Sequence, residues 1–138
     1  MLTIERVAAL HRVVMFAEIP GSTLAAVARQ ATEVEVEAGE SLFAEGDIED
    51  HLFVIVEGKI RIHHGQHTID EYGPGTTVGE FAALVPEPRA ASATVTERAI
   101  LLRLDKPVLD ELLADRPALA RGIITTLVTR LREQGTPS

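Results

Sequence analysis

Two residues of opposite charge, Glu80 and Arg89, stand in a stretch that is otherwise mainly apolar or small: Val78-Gly79-Glu80-Phe81-Ala82-Ala83-Leu84-Val85-Pro86-Glu87-Pro88-Arg89-Ala90-Ala91-Ser92-Ala93-Thr94-Val95. A guanidinium is permanently charged and matches a phosphate with two parallel donors. Gly79 lets backbone approach a ligand with no Cβ in the way, and the helix-compatible residues after it run to Pro86, which stops them. That pattern predicts one short helix starting at Gly79. The first amides of a helix have no intrahelical partner and carry partial positive charge, so they attract anions. Glu80 would repel a phosphate, but beside a phosphorylated sugar its carboxylate is a good acceptor for a hydroxyl. The simpler alternative is a surface turn in which Glu80 and Arg89 pair with each other. The glycine, the proline stop and the run of small residues in register favour a site.

These residues resemble the phosphate-binding cassette of the cyclic nucleotide-binding domain, as found in catabolite activator proteins, kinase regulatory subunits and cyclic nucleotide-gated channels. The family pattern of Gly-Glu-apolar-small, a short apolar segment, then Arg-small-Ala-Ser/Thr is met by Gly79-Glu80-Phe81-Ala82 and Arg89-Ala90-Ala91-Ser92. The resemblance implies that Gly79, Glu80 and Ala82 give backbone donors or the ribose contact, that Arg89 holds the phosphate, and that Ala90 and Ser92 flank it. Phe81 and Ala91 complete the cassette, while Ile62 and His64 fall at the family's strand positions lining the base. The implied ligand is cyclic AMP, with cyclic GMP as the alternative. In cyclic-GMP-selective relatives a hydroxyl often follows the arginine, and here that residue is Ala90.

A site of this kind needs a scaffold, and the hydrophobic pattern supplies one. Ile4, Val7, Ala8 and Leu10 recur at helical spacing behind Thr3 as a cap, and Ser22 starts a second short helix carrying Leu24, Val27 and Ala28. From Thr32 the period changes to two, with Val34 and Val36 alternating with glutamates. Further short strands are expected at residues 41–44, 51–56, 59–63 and 67–71, parted by Glu45-Gly46-Asp47, Glu57-Gly58 and Gly65. Strands and turns of this length predict an antiparallel sandwich or roll, and the family resemblance implies a β-roll of the jelly-roll type. Leu52-Phe53-Val54-Ile55-Val56 reads as a central strand buried on both sides. Tyr72-Gly73-Pro74-Gly75 reads as a turn leading into the cassette. After it, residues 99–104 close the sheet, Asp105 caps a helix, and Pro117 begins another with an apolar stripe of Ala120, Ile123, Ile124, Leu127, Val128 and Leu131. Arg116, Arg121, Arg130 and Arg132 lie mainly off that stripe. The expected organisation is one domain: N-terminal helices over residues 1–31, a β-roll over 32–104 with the cassette at 78–95, and C-terminal helices over 105–134.

Composition narrows the function classes. The chain has 138 residues, no cysteine, and 21 acidic against 13 basic side chains for a formal charge of −8. Disulfides, thiol catalysis and thiolate metal sites are therefore out, and the acidic surface opposes polyanion binding. A mean hydropathy of +0.13, with no membrane-length apolar run and no signal-peptide core, points to a cytoplasmic protein. His51, His63, His64 and His67 invite a cupin-like metal enzyme, but adjacent strand residues face opposite ways and no His-x-His pair is present. No nucleophile–base pair or P-loop appears, so the expectation is a regulatory module, not an enzyme. A domain of this fold that serves only for protein contact is the competing reading.

In relatives that regulate transcription a helix-turn-helix follows the long C-terminal helix. Only Gly135-Thr136-Pro137-Ser138 follow Gln134 here, so no DNA-binding domain is expected within these residues. The resemblance also implies that the last helix is the output element. It would act as a lid, with Leu127 or Arg130 over the base, or as the seam of a homodimer; the effector is unknown.

Overall fold

The computed structural model describes residues 1–79, 84–85 and 87–133. Helix α1 (Thr3–His11), a 3₁₀ turn (Val14–Phe16) and α2 (Gly21–Gln30) precede eight strands: β1 (Thr32–Val36), β2 (Ser41–Phe43), β3 (Ile48–Glu49), β4 (His51–His64), β5 (His67–Tyr72), β6 (Thr77–Val78), β7 (Glu87–Pro88) and β8 (Ser92–Asp105). Helices α3 (Lys106–Asp115) and α4 (Pro117–Glu133) follow. The main sheet runs β1-β8-β4-β5, with β2 also paired to β8 and β6 to β4, while β3 and β7 form a separate ribbon. Every pairing is antiparallel. This is the antiparallel roll with flanking helices that the sequence pattern predicts.

The centre of the roll is the pairing of β4 with β8, which runs from His51↔Asp105 to His63↔Ser92. Glu57-Gly58 does not turn the chain, as its composition suggested, and residues 51–56 and 59–63 belong to one strand. Gly58 sits at φ +93°, and a Cβ there would lie 2.4 Å from the Arg98 carbonyl oxygen. The glycine therefore makes a bulge that bends β4 against β8, so a single strand serves both ends of the roll. The closing strand expected at 99–104 likewise begins earlier, at Ser92, within the stretch read as the cassette.

Alternation along β4 explains the two cores. Leu52 and Val54 join Leu102, Leu104, Leu10, Phe16, Leu24 and Leu119 beneath the helices. Phe53 and Ile55 face the inside of the roll with Phe43, Ile60, Val78 and Leu101. Both faces of the strand are buried, as its continuous apolar run requires.

Local caps differ from the sequence reading in detail. Leu2 takes the cap position of α1, and its N–H donates to the Glu5 carboxylate at 2.7 Å. Asp105 does precede α3, but its carboxylate accepts from Arg103 Nε at 3.0 Å and gives no side-chain cap. The stripe on α4 is also divided. Ile123 is buried, with Leu119 outside the expected stripe beside it in the core, whereas Ile124 is 60% exposed and Val128 and Leu131 also face outward. The helix lies close on the 3₁₀ turn because residue 122 is glycine: a Cβ there would lie 2.3 Å from the Met15 carbonyl oxygen.

Candidate functional site

Arg89 is the organising side chain of a cavity of about 570 Å³. Only 5% of the residue is exposed. Two backbone bonds fix it, Arg89 N–H to the Asp47 carbonyl at 2.7 Å and Gly46 N–H to the Arg89 carbonyl at 2.9 Å. The guanidinium lies over the Phe43 ring, 4.2 Å from its centroid. Nη2 donates to the Glu49 carboxylate and to the His51 carbonyl, each at 3.1 Å. Nε is buried with no hydrogen-bond partner among the described residues. A buried guanidinium with an idle donor is costly unless an acceptor reaches it.

Gly79 borders the same guanidinium. Its φ is +91°, and a Cβ on it would stand 2.5 Å from Arg89 Nη1 and 3.0 Å from the His51 carbonyl oxygen. The missing side chain thus makes room for the arginine as well as for anything that enters the cavity, a role the sequence did not reveal. Ala90 and Ala91 line the cavity next to Arg89, and Ile62 and His64 of β4 line it as well. Ser92 instead accepts a hydrogen bond from the Glu45 N–H at 2.9 Å and does not line the cavity. Glu80, Phe81 and Ala82, and with them most of the short helix expected after Gly79, lie outside the described residues.

Glu49, which contacts Arg89, and the wall residues Phe43, Ile69 and Tyr72 were not read from the sequence as part of a site. Glu49 reaches Arg89 because β3 pairs with β7, placing Glu49 opposite Glu87, two residues before the arginine. Phe43 comes from β2 and Ile69 and Tyr72 from β5. Tyr72, read as the start of a turn, ends β5 and carries Arg130 over its ring at 4.5 Å. Arg130, read as mainly off the apolar stripe and as one of two candidate lids, reaches from α4 into the wall, and its guanidinium also donates to the Thr77 carbonyl. Burial holds the Arg130 guanidinium below the usual arginine range, with Tyr72, Glu133 and Asp70 opposing. Burial likewise pushes the Tyr72 phenol up, with Arg130 opposing.

The histidines are engaged separately. His51 packs edge-on against Phe53 with Nε2 3.5 Å from Glu49. His63 holds the Gly65 carbonyl at 2.6 Å and the Thr94 hydroxyl at 2.7 Å, while His64 Nδ1 lies 2.5 Å from Glu45 Oε1. Among the described residues no group of three or more potential ligands is placed to hold a metal ion. No helix among them is long and apolar enough to cross a membrane.

Comparison with known proteins agrees with this architecture. The family model described as the cyclic nucleotide-binding domain matches residues 33–116. A CRP-like cAMP-activated global transcriptional regulator of Mycobacterium tuberculosis is 30% identical over 128 residues, 89% of this chain and 57% of that protein. The chain thus spans a little over half of that relative's length. The N-terminal domain of a transcriptional regulator from Streptomyces coelicolor A3(2) is similar in structure with a TM-score of 0.75 at 30% identity, covering 92% of each chain. The regulatory domain of Toxoplasma gondii PKA, solved with cAMP, gives a TM-score of 0.72 at 25% identity over 79% of this chain and 43% of that one. With the family model matching well over half of the sequence, from β1 into α3, the chain belongs to the cyclic nucleotide-binding domain family.

Proposed function

We propose that the chain is a ligand-sensing regulatory module that binds a 3′,5′-cyclic purine nucleotide, cyclic AMP in preference to cyclic GMP. The observation that carries this reading is Arg89: a permanent charge, 5% exposed, with Nε buried and unpartnered at a cavity wall. A phosphate supplies the missing acceptor and a compact negative charge. The rest of the wall, with Phe43, Ile62, Tyr72 and Val78, is apolar enough for a purine, and about 570 Å³ suits a small ligand. In this reading Arg89 holds the phosphate, flanked by Gly79 and Ala90. Glu80 accepts the ribose hydroxyl, as the family resemblance implies, with Ala82 offering backbone. The lack of a hydroxyl at Ala90 favours adenine. The names of the relatives support the same ligand, since one is cAMP-activated and another was solved with cAMP.

Occupancy is relayed by α4 in this proposal, because Arg130, which lines the cavity, links that helix to Tyr72 on its wall and to Thr77 of β6. Ligand shifts the helix only by binding one arrangement better than the other. The exposed residues Ile124, Val128 and Leu131 make it the seam of a homodimer.

Calorimetric titration with cyclic AMP and cyclic GMP tests the reading. Arg89→Ala is expected to weaken binding by one to several decades, since losing one member of a buried charge pair costs about 2–5 kcal/mol. One observation favours a domain of this fold without nucleotide: Glu49 already engages Arg89 Nη2. Absence of heat and of thermal shift at millimolar nucleotide would decide for that second reading.

A further inference from the structure

Besides Arg89, the polar groups at the cavity wall include Glu87, Arg130 and the His64 ring. His64 ends β4, pairs in register with His67 and lines the cavity. Its Nδ1 lies 2.5 Å from Glu45 Oε1. An ionised carboxylate only accepts hydrogen bonds, so the proton of the neutral ring sits on Nδ1. Nε2 keeps a lone pair and has no hydrogen-bond partner among the described residues.

Glu45 is itself held in place, since its N–H donates to the Ser92 hydroxyl at 2.9 Å. Ser92, expected beside the phosphate, therefore fastens the loop that sets the histidine tautomer. His63 cannot substitute, because both of its ring nitrogens are engaged by Gly65 and Thr94.

We propose that His64, fixed in its Nδ1–H tautomer by Glu45, reads position 6 of the purine and sets the preference for adenine over guanine. The proposal rests on the cyclic nucleotide reading above. Adenine carries an amino donor at position 6, whereas guanine carries a carbonyl acceptor. The Nε2 lone pair accepts from the first and opposes the lone pairs of the second. Selectivity then comes from a repulsive contact as well as an attractive one.

The test is calorimetric titration of the wild type, His64→Leu and Glu45→Lys with cyclic AMP and with cyclic GMP, read as the ratio of the two dissociation constants. The ratio cancels any change in attraction for the phosphate common to both ligands. His64→Leu is expected to shrink the preference for cyclic AMP by about two- to tenfold, the range set by one neutral hydrogen bond. Glu45→Lys turns a donor toward Nδ1, moves the ring proton to Nε2, and is expected to shift the ratio further toward cyclic GMP. Nitrogen NMR of the imidazole rings in the free wild-type protein is expected to find His64 in the Nδ1–H form. Nε2–H in the wild type, or one ratio in all three proteins while both nucleotides bind, overturns the role of His64 and leaves the binding function standing. A wild type that binds neither nucleotide removes both.

Discussion

The guanidinium of Arg89 and the backbone of Gly79 exclude any side chain between them: a Cβ at position 79 would lie 2.5 Å from Nη1, on a backbone with φ +91°. Gly79→Ala therefore combines left-handed strain with a displaced arginine, and is expected to cost about 1–3 kcal/mol of stability. Nucleotide affinity should fall with it. Because of this clash, the double variant Gly79→Ala with Arg89→Ala should cost less stability than the sum of the two single changes, since neighbouring sites do not add. Chemical denaturation of the two single variants and the double variant checks this, and simple additivity would show that the arginine side chain moves aside freely.

Glu49 offers the complementary test, since its carboxylate engages the guanidinium proposed to hold the phosphate. Glu49→Ala removes a charged hydrogen-bond partner from Arg89 Nη2, with an expected loss of about 1–3 kcal/mol in the free protein. An anionic ligand then becomes the main counter-charge, so the thermal shift on adding cyclic AMP should exceed that of the wild type. A smaller shift would mean that Glu49 positions Arg89 for the ligand and does not compete with it.

What could be read in advance was local. Gly79 and Arg89 could be singled out together because they stand close in the chain, and β4 because Leu52-Phe53-Val54-Ile55 is apolar on both faces. Glu49 was not legible, and Arg130 was legible only as a candidate lid, without its contacts to Tyr72 and Thr77. Glu49 arrives through the β3–β7 ribbon, 40 residues from the arginine it meets, and Arg130 bonds to Thr77 across 53 residues. Local periodicity carries no record of such pairings. The Glu57-Gly58 pair misled for a different reason. Composition cannot separate a glycine that turns a strand from one that bulges it, and here the backbone of Arg98 and Ala99 against Gly58 decides.

Tyr72 provides a titration that can be followed alone, because the chain has one tyrosine and no tryptophan. Burial raises its phenol, with Arg130 opposing. A folded value above the unfolded one means that the native state binds the proton more tightly. The resulting stability is fully present below the ordinary tyrosine value of about 10 and is lost as pH rises through the folded value. The tyrosinate absorbance band should therefore appear at higher pH in the folded protein than in denaturant. Tyr72→Phe should flatten the alkaline limb of the stability curve. A phenol that ionises at or below its ordinary value in the folded protein would show that the Arg130 charge outweighs burial.

The last prediction concerns α4, which is tied to the cavity wall by Arg130 and leaves Ile124, Val128 and Leu131 exposed on its outer side. These residues follow at i, i+4 and i+7, so they form one face able to pair with the same face of a second copy. Light scattering is expected to report a dimer, and Ile124→Glu with Val128→Glu a folded monomer, because neither side chain belongs to the buried core. In the proposed relay, coupling to the ligand runs through Arg130 over Tyr72, a cation–π contact worth about 0.5–2 kcal/mol. Hydrogen exchange across residues 118–131 should therefore change on adding cyclic AMP, and Arg130→Ala should abolish that change while the residues around Arg89 remain protected by ligand. Arg130→Lys should restore it only in part, since an ammonium lacks the flat face that stacks on the ring. If the segment exchanges identically with and without nucleotide and the protein is monomeric throughout, α4 is only a cover for the core beneath Leu119 and Ile123, and the signal leaves the domain by another element.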